Sequence, residues 1–144
     1  MGYHKILVAV SLSTDEDDCL IKKALEIKKL NPKAQIYLLN AVEYTDSYSH
    51  IAGVSDDIDK VIFSYASEAM AKLCKKFRID KERSIIEIGA AKNIILNHAE
   101  KGKFDLIVLG GHSKNSFGFI LGSTANRVLN TAPCDVLSVK LDES

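Results

Sequence analysis

The sequence predicts an α/β fold, a single domain over residues 1–144 with an open five-stranded, mostly parallel sheet and helices on both faces. Three observations lead to this prediction. Short apolar runs, typical of strands buried on both faces, alternate with segments in which apolar residues recur at helical spacing. The chain has 144 residues, the length of one domain. No linker or low-complexity stretch divides it.

The first half of the chain predicts a strand, a helix, a second strand, a long loop and a second helix. KILVAV, residues 5–10, is the first apolar run, and a helix is expected from about Asp15 to Leu30, with acids at its start. Gln35–Val42 has the composition of another buried strand. Residues 43–57 are polar and rich in turn formers, and helical spacing resumes from Ile58.

The second half repeats the alternation of strand and helix. Ser84–Ile88 is a short β-branched strand, and residues 90–101 show helical spacing. An apolar strand over residues 105–111 runs into paired glycines, a short helix follows over 124–131, and residues 135–141 form the last strand. Ligands of such sheets collect beyond the carboxyl ends of the strands, where the strand order reverses. The loops after Val10, Val42 and Leu109 are therefore the places to seek a site.

Composition and charge exclude several classes of function. Nineteen basic and nineteen acidic residues cancel, so we expect no nucleic-acid partner, and a net charge near zero suits self-association. No stretch approaches the roughly 20 apolar residues of a membrane helix, and no export signal is evident, so we expect a cytoplasmic protein. The three cysteines lack CxxC spacing and predict ordinary thiols, with Cys19 and Cys74 packed in helices.

The segment Leu109–Leu129 carries the features of a phosphate-binding turn. It joins a buried strand to a helix through glycines and small polar residues. Glycine lets backbone N–H groups approach phosphate oxygens, and a helix beginning at Gly122-Ser123-Thr124 would present free N–H groups and the positive end of its dipole. An equally good interpretation is a plain turn with Ser123 or Thr124 as the N-cap, since no Walker lysine motif is present.

The remaining polar residues predict neither a metal site nor a catalytic one. The four histidines show no metal-ligand spacing, and His112, within the candidate segment, suits a solvent-exposed loop better than a phosphate contact: His4, His50, His98, His112. The acidic cluster Asp15–Asp18 is interpreted as stabilising the helix dipole rather than holding magnesium. No catalytic triad or pair of carboxylates can be assigned.

Three segments, in their order and spacing, resemble the universal stress protein family. They are KILVAV at the start, FDLIVLGGHS followed by GST in the second half, and NTAPCDVLSVK near the end. The likeness covers the whole chain. It implies a Rossmann-like sheet of the adenine nucleotide alpha hydrolase type and a role as a dimeric stress-response regulator.

The glycine pattern falls between two classes of that family. Nucleotide-binding members have a glycine, two residues, a second glycine, nine residues, then glycine with serine or threonine. Gly110 and the pair Gly122-Ser123 match, but Ser113 stands at the second glycine and only eight residues separate it from Gly122. His112 and residues 46–57 look like the UspA-like founding class, which is regarded as not binding ATP.

The resemblance implies a set of binding residues for ATP or AMP, with Mg²⁺ as an accompanying ion. Ser11 stands where the family usually has an aspartate, Ala41 would meet the base through its backbone, and the other residues would line one wall or hold the phosphates and ribose. The full set is Ala9, Val10, Ser11, Ala41, Gly110, His112, Gly122, Ser123 and Thr124.

The family also implies a homodimer, formed through the last strand from Val136 to Leu141. The alternative to a nucleotide sensor is a nucleotide-independent dimeric interaction module, favoured by Ser11 and the missing glycine. Catalysis, at most slow ATP hydrolysis, is the weakest expectation because no catalytic residue is identifiable. The 43–57 loop is expected to cover either the pocket or the dimer interface.

Overall fold

Strands and helices alternate along the chain in the computed structural model, which describes residues 2–12, 15–43, 55–112 and 123–141. For residues 55–57, His112 and Ser123 it describes the backbone only. In order, the elements are β1 (Lys5–Ala9), α1 (Glu16–Leu30), β2 (Gln35–Val42), α2 (Ser55–Phe77), a short 3-10 helix (Lys81–Arg83), β3 (Ser84–Ile88), α3 (Ala91–Lys101), β4 (Leu106–His112), α4 (Ser123–Thr131) and β5 (Asp135–Leu141). None of the described helices is long and apolar enough to span a bilayer.

The five strands form one sheet in the order β3-β2-β1-β4-β5, and all neighbouring pairs are parallel. Ile6 at the centre of the sheet pairs with Ile36 on one side and with Leu106 on the other. The chain therefore builds outward from β1 in one direction, then returns to build in the other. The predicted fold class is confirmed, and the strand order reverses between β1 and β4.

The core lies on both faces of the sheet. Ile6 and Val8 of β1 are fully buried in one layer, against α1 and α2, whereas Leu7 is fully buried in the other, against α3 and α4. A strand with helices on both faces needs apolar residues at consecutive positions, which explains the continuous apolar run of β1. This burial makes the central strand a rigid support for the residues that follow it.

The two helical cysteines differ in their surroundings. Cys74 is buried in the layer formed with α1 and α2, and burial raises the pKa of its thiol, as expected of a packed cysteine. Cys19 is exposed, so the prediction of a packed thiol was wrong there. The reason is the direction of α1, which turns Leu20 and Ile21 rather than Cys19 toward the sheet.

Asp105 holds the amino ends of the two central strands together. Its Oδ2 atom accepts hydrogen bonds from the backbone N–H groups of His4 (2.6 Å) and Lys5 (2.8 Å). The backbone N–H of Asp105 donates in turn to the Lys5 carbonyl at 2.9 Å. The β1–β4 register is thereby set at the start of both strands, so their carboxyl ends lie side by side at the other end of the sheet.

Candidate ligand-binding site

A cleft of about 470 Å³ lies beyond the carboxyl ends of β1 and β4, where the strand order reverses. This is the place at which open parallel sheets bind ligands, and the volume is within the range of small-molecule pockets. Strand ends, the start of α1 and the start of α4 form its walls. The lining residues are Ala9, Val10, Ser11, Glu16, Asp17, Leu20, Leu39, Asn40, Ala41, Ala91, Ile95, Leu109, Gly110, Thr124, Ala125 and Leu141.

Six of the nine residues proposed from the sequence line this cleft. They come from four separate segments of the chain, and only the fold brings them together: Ala9, Val10, Ser11, Ala41, Gly110 and Thr124. Gly122 lies outside the described residues, as do the side chains of His112 and Ser123. Residues 44–54, most of the loop expected to cover the pocket or the dimer interface, also lie outside them.

Asn40 supports the chain where it leaves β1. Its side-chain Nδ2 donates to the Val10 carbonyl at 2.9 Å, and the Val10 N–H donates to the Leu39 carbonyl at the same distance. Asn40 is buried, so its amide needs such partners. The sequence analysis missed this residue, although a lone amide within the apolar run of β2 was a signal for a local structural role.

Asp17 organises the turn between β1 and α1. Its Oδ1 accepts from the Ser11 N–H (2.8 Å) and the Ser11 hydroxyl (3.2 Å), and its Oδ2 accepts from the Leu12 N–H (2.6 Å). Leu12 has a φ of 63°, a left-handed conformation that is costly for a leucine. Both carboxylate oxygens of Asp17 thus hold a strained turn that forms one wall of the cleft.

The environment of Asp17 corrects the interpretation of the acidic cluster. Only 3% of the residue is exposed, and burial raises the pKa of its carboxyl, while the hydrogen bonds from Ser11 and Leu12 act in the opposite direction. Asp17 therefore does more than complement the helix dipole. The position of Asp17 in the sequence could have indicated its burial. Leu20 and Ile21, three and four residues later, lie on the same buried face of α1.

The opposite wall combines Gly110 with the first turn of α4. A Cβ atom on Gly110 would lie 2.4 Å from the Leu141 Cδ1, so the Leu141 side chain occupies the space that the glycine leaves open. Thr124 and Ala125, in the first turn of α4, also line the cleft. The positive end of the α4 dipole therefore lies at the cleft, an arrangement that favours an anion.

The described residues of the cleft offer few titratable side chains. Its titratable lining residues are the carboxylates Glu16 and Asp17, and no histidine or cysteine stands among the described lining residues. No group of three or more described histidines, cysteines or acids is placed to hold a metal ion. A helix start, backbone groups and small side chains are the means by which this cleft can hold a ligand.

Comparison with known sequences identifies relatives over nearly the whole chain. A family model described as the universal stress protein family matches residues 2–140. The chain is 38% identical to universal stress protein A homolog 2 of Coxiella burnetii, with 99% of each chain covered. It is 30% identical to universal stress protein C of Escherichia coli, with 98% of each covered.

Solved structures show the same fold. The universal stress protein UspA from Lactobacillus plantarum superposes with a TM-score of 0.76 at 26% identity, covering 96% of this chain and 99% of that one. A second structure, described as a universal stress protein in complex with cAMP, matches with a TM-score of 0.64 at 20% identity, over 96% of this chain and 98% of its own. The latter likeness is one of fold.

Proposed function

The chain belongs to the universal stress protein family, and from that premise we propose that it is a dimeric stress-response regulator that binds an adenine nucleotide in the cleft described above. The observation that carries the proposal is the position of the cleft. It lies where the strand order reverses, and the amino-terminal turn of α4 forms part of its wall. A phosphate there would meet free backbone N–H groups and the positive helix end.

The other walls suit the base and the ribose. Ala41 is small and lines the cleft near the end of β2, so a flat base can approach the backbone there. Ser11 lines the cleft with a hydroxyl in place of the family's usual aspartate, and Asp17 behind it supplies the carboxylate of the turn. The cAMP complex of a protein with this fold supports an adenine nucleotide as the ligand class.

Calorimetric titration of nucleotide-stripped protein with ATP, AMP and cAMP, with and without Mg²⁺, tests the proposal. Thr124→Glu places a negative charge where the phosphate would bind, and we expect it to lower affinity at least ten-fold through repulsion. Asn126→Glu is the matched control, because residue 126 is exposed on the same helix and does not line the cleft. Equal affinities of the two variants for nucleotide would contradict the proposed site.

A nucleotide-independent interaction module is the alternative function. One observation favours it, namely that both oxygens of Asp17 already accept hydrogen bonds from the turn, while Ser11 replaces the family's carboxylate. In that case neither heat nor thermal stabilisation would appear at millimolar nucleotide, and the dimer surface would carry the signal. We further propose a cytoplasmic location and ATP hydrolysis that is slow at most.

The dimer is proposed to form through β5. This strand is at the edge of the sheet and pairs with β4 on one side. Among the described strands none pairs with its other side, where the strand of a second copy could add. Sedimentation equilibrium should show a dimer, and hydrogen exchange should show protection of alternate amides from Val136 to Leu141 that dilution abolishes. A monomer at high micromolar concentration would contradict this part of the proposal.

A further inference from the structure

A second cleft, of about 310 Å³, lies at the other end of the strands from the first cleft, where α1 and α2 end and β2 begins. Its lining is part apolar and part cationic. Leu25, Ile36 and Phe77 provide apolar surface, and Ile36 is buried beneath it. The charged lining residues are all basic: Lys28, Lys33, Arg78 and Arg83.

Within the described residues, no carboxylate neutralises these cations. No ion pair joins Lys33, Arg78 or Arg83 to an acid, whereas other surface lysines of the chain do have acidic partners. The acids nearest along the chain to Arg78 and Arg83, which are Asp80 and Glu82, are exposed and do not line the cleft. The Asp80 carboxylate instead accepts a hydrogen bond from the Glu82 backbone N–H at 3.1 Å.

Lys28 is held in place by backbone rather than by an acid. Its Nζ donates to the carbonyls of Pro32, at 3.4 Å, and Ala34. These bonds orient the ammonium group without cancelling its charge. Arg83 is half-buried and Arg78 is exposed, so both guanidinium side chains of the lining remain accessible to a ligand.

Helix dipoles offset only part of this positive charge. The carboxyl ends of α1 and α2, at Leu30 and Phe77, lie at this edge, and each contributes about half a negative charge. Together they offset about one of the four positive charges. The surplus is local, because the chain as a whole has no net charge.

We propose that this cleft binds a small organic phosphate, with its phosphate dianion against Arg78 and Arg83 and its apolar group on the surface of Leu25 and Phe77. Arginine is suited to this task because its planar fork can donate two parallel hydrogen bonds to phosphate oxygens. The apolar surface distinguishes an organic phosphate from the inorganic ion, which would gain nothing from it. The site is separate from the cleft beyond β1 and β4.

The proposal is tested by titrating the protein with two dianions, phenyl phosphate and inorganic phosphate, at constant ionic strength. Chemical shifts of the backbone amides are recorded by NMR at each step. We expect saturable shifts for phenyl phosphate at the amides of Arg78–Arg83 and Lys33–Ile36, at least ten-fold tighter than for inorganic phosphate. The amides of Ser11 and Gly110, in the first cleft, report separately on that site. Equal affinity for the two anions would overturn the assignment to an organic phosphate.

A pair of double variants distinguishes a specific phosphate site from nonspecific electrostatic attraction of the anion. Arg78→Gln with Arg83→Gln should weaken phenyl phosphate binding at least ten-fold. Lys101→Gln with Lys103→Gln removes the same charge beside another helix carboxyl end, and should change affinity less than two-fold. Equal losses, or shifts that never saturate, would overturn the proposal.

A charge-conserving double variant tests the geometry of the arginine pair. Arg78→Lys with Arg83→Lys keeps the charge but removes the fork, and we expect roughly a three-fold to ten-fold loss. It also serves if the glutamine variant fails to fold. Retention of full affinity by the lysine variant would overturn the role assigned to the arginine geometry.

Discussion

Removal of the Asp17 side chain tests whether this one carboxylate holds the wall of the first cleft. Asp17→Ala leaves the N–H groups of Ser11 and Leu12 without their acceptors. An unsatisfied buried donor costs about 1–3 kcal/mol, and Leu12 would still have to hold a left-handed conformation. Relief from burying a charge and entry of water offset part of this cost. We expect a net loss of about 2–3 kcal/mol in the free energy of unfolding.

Urea denaturation at neutral pH measures that loss, and for a chain of this length the melting temperature should fall by about 4–12 °C. Asp15→Ala is the control, because Asp15 belongs to the same acidic cluster but its side chain makes no capping hydrogen bond. It should cost less than about 1 kcal/mol, the value of a dipole contact. If the two variants lose equal stability, Asp17 acts only through the dipole and the reasoning is refuted.

Three further predictions concern pH and packing. Because burial raises the pKa of Asp17 above 3.8, the folded chain binds its proton more tightly than the unfolded chain does. Its contribution to stability therefore falls as pH rises from 3.8 through the raised pKa. Across that interval the free energy of unfolding of the native chain should fall relative to that of Asp17→Asn, and a rise would contradict this. Ser138→Ala should raise the free energy of unfolding by about 1 kcal/mol, since the buried Ser138 hydroxyl has no partner among the described residues, and a loss in urea titration would contradict this. Gly110→Ala should lower it by about 1–3 kcal/mol by displacing Leu141, and unchanged stability would show that Leu141 moves aside freely.

The sheet was predictable because its central strands are buried on both faces. The apolar run of β1 and the helical spacing of α1 follow directly from such burial, and the observed elements begin and end within a few residues of those expected. The strand order was not predictable in the same way. Nothing in the local pattern of β4 says that it pairs with β1 rather than with β3, because pairing depends on how the connecting helices cross the sheet.

The site was predictable where it depends on the ends of strands and less so where it depends on side-chain direction. Ala9, Ala41 and Gly110 lie at or near the carboxyl ends of their strands, which is where open parallel sheets bind ligands. Asp17 and Asn40 were missed because an acid at a helix start and an amide in a strand each have a common simpler explanation. Only their neighbours in space reveal what they hold.

Leu141 belongs both to the edge strand β5 and to the wall of the cleft. Its side chain is buried against the position that Gly110 leaves open. In the proposed dimer, a ligand that displaced Leu141 would also disturb the strand through which two copies associate. By thermodynamic linkage the effect is mutual. If dimerisation through β5 changes the affinity for the ligand by some factor, the ligand changes the dimerisation affinity by the same factor. In the proposed dimer, this one leucine would couple the occupancy of the cleft to the assembly of the protein.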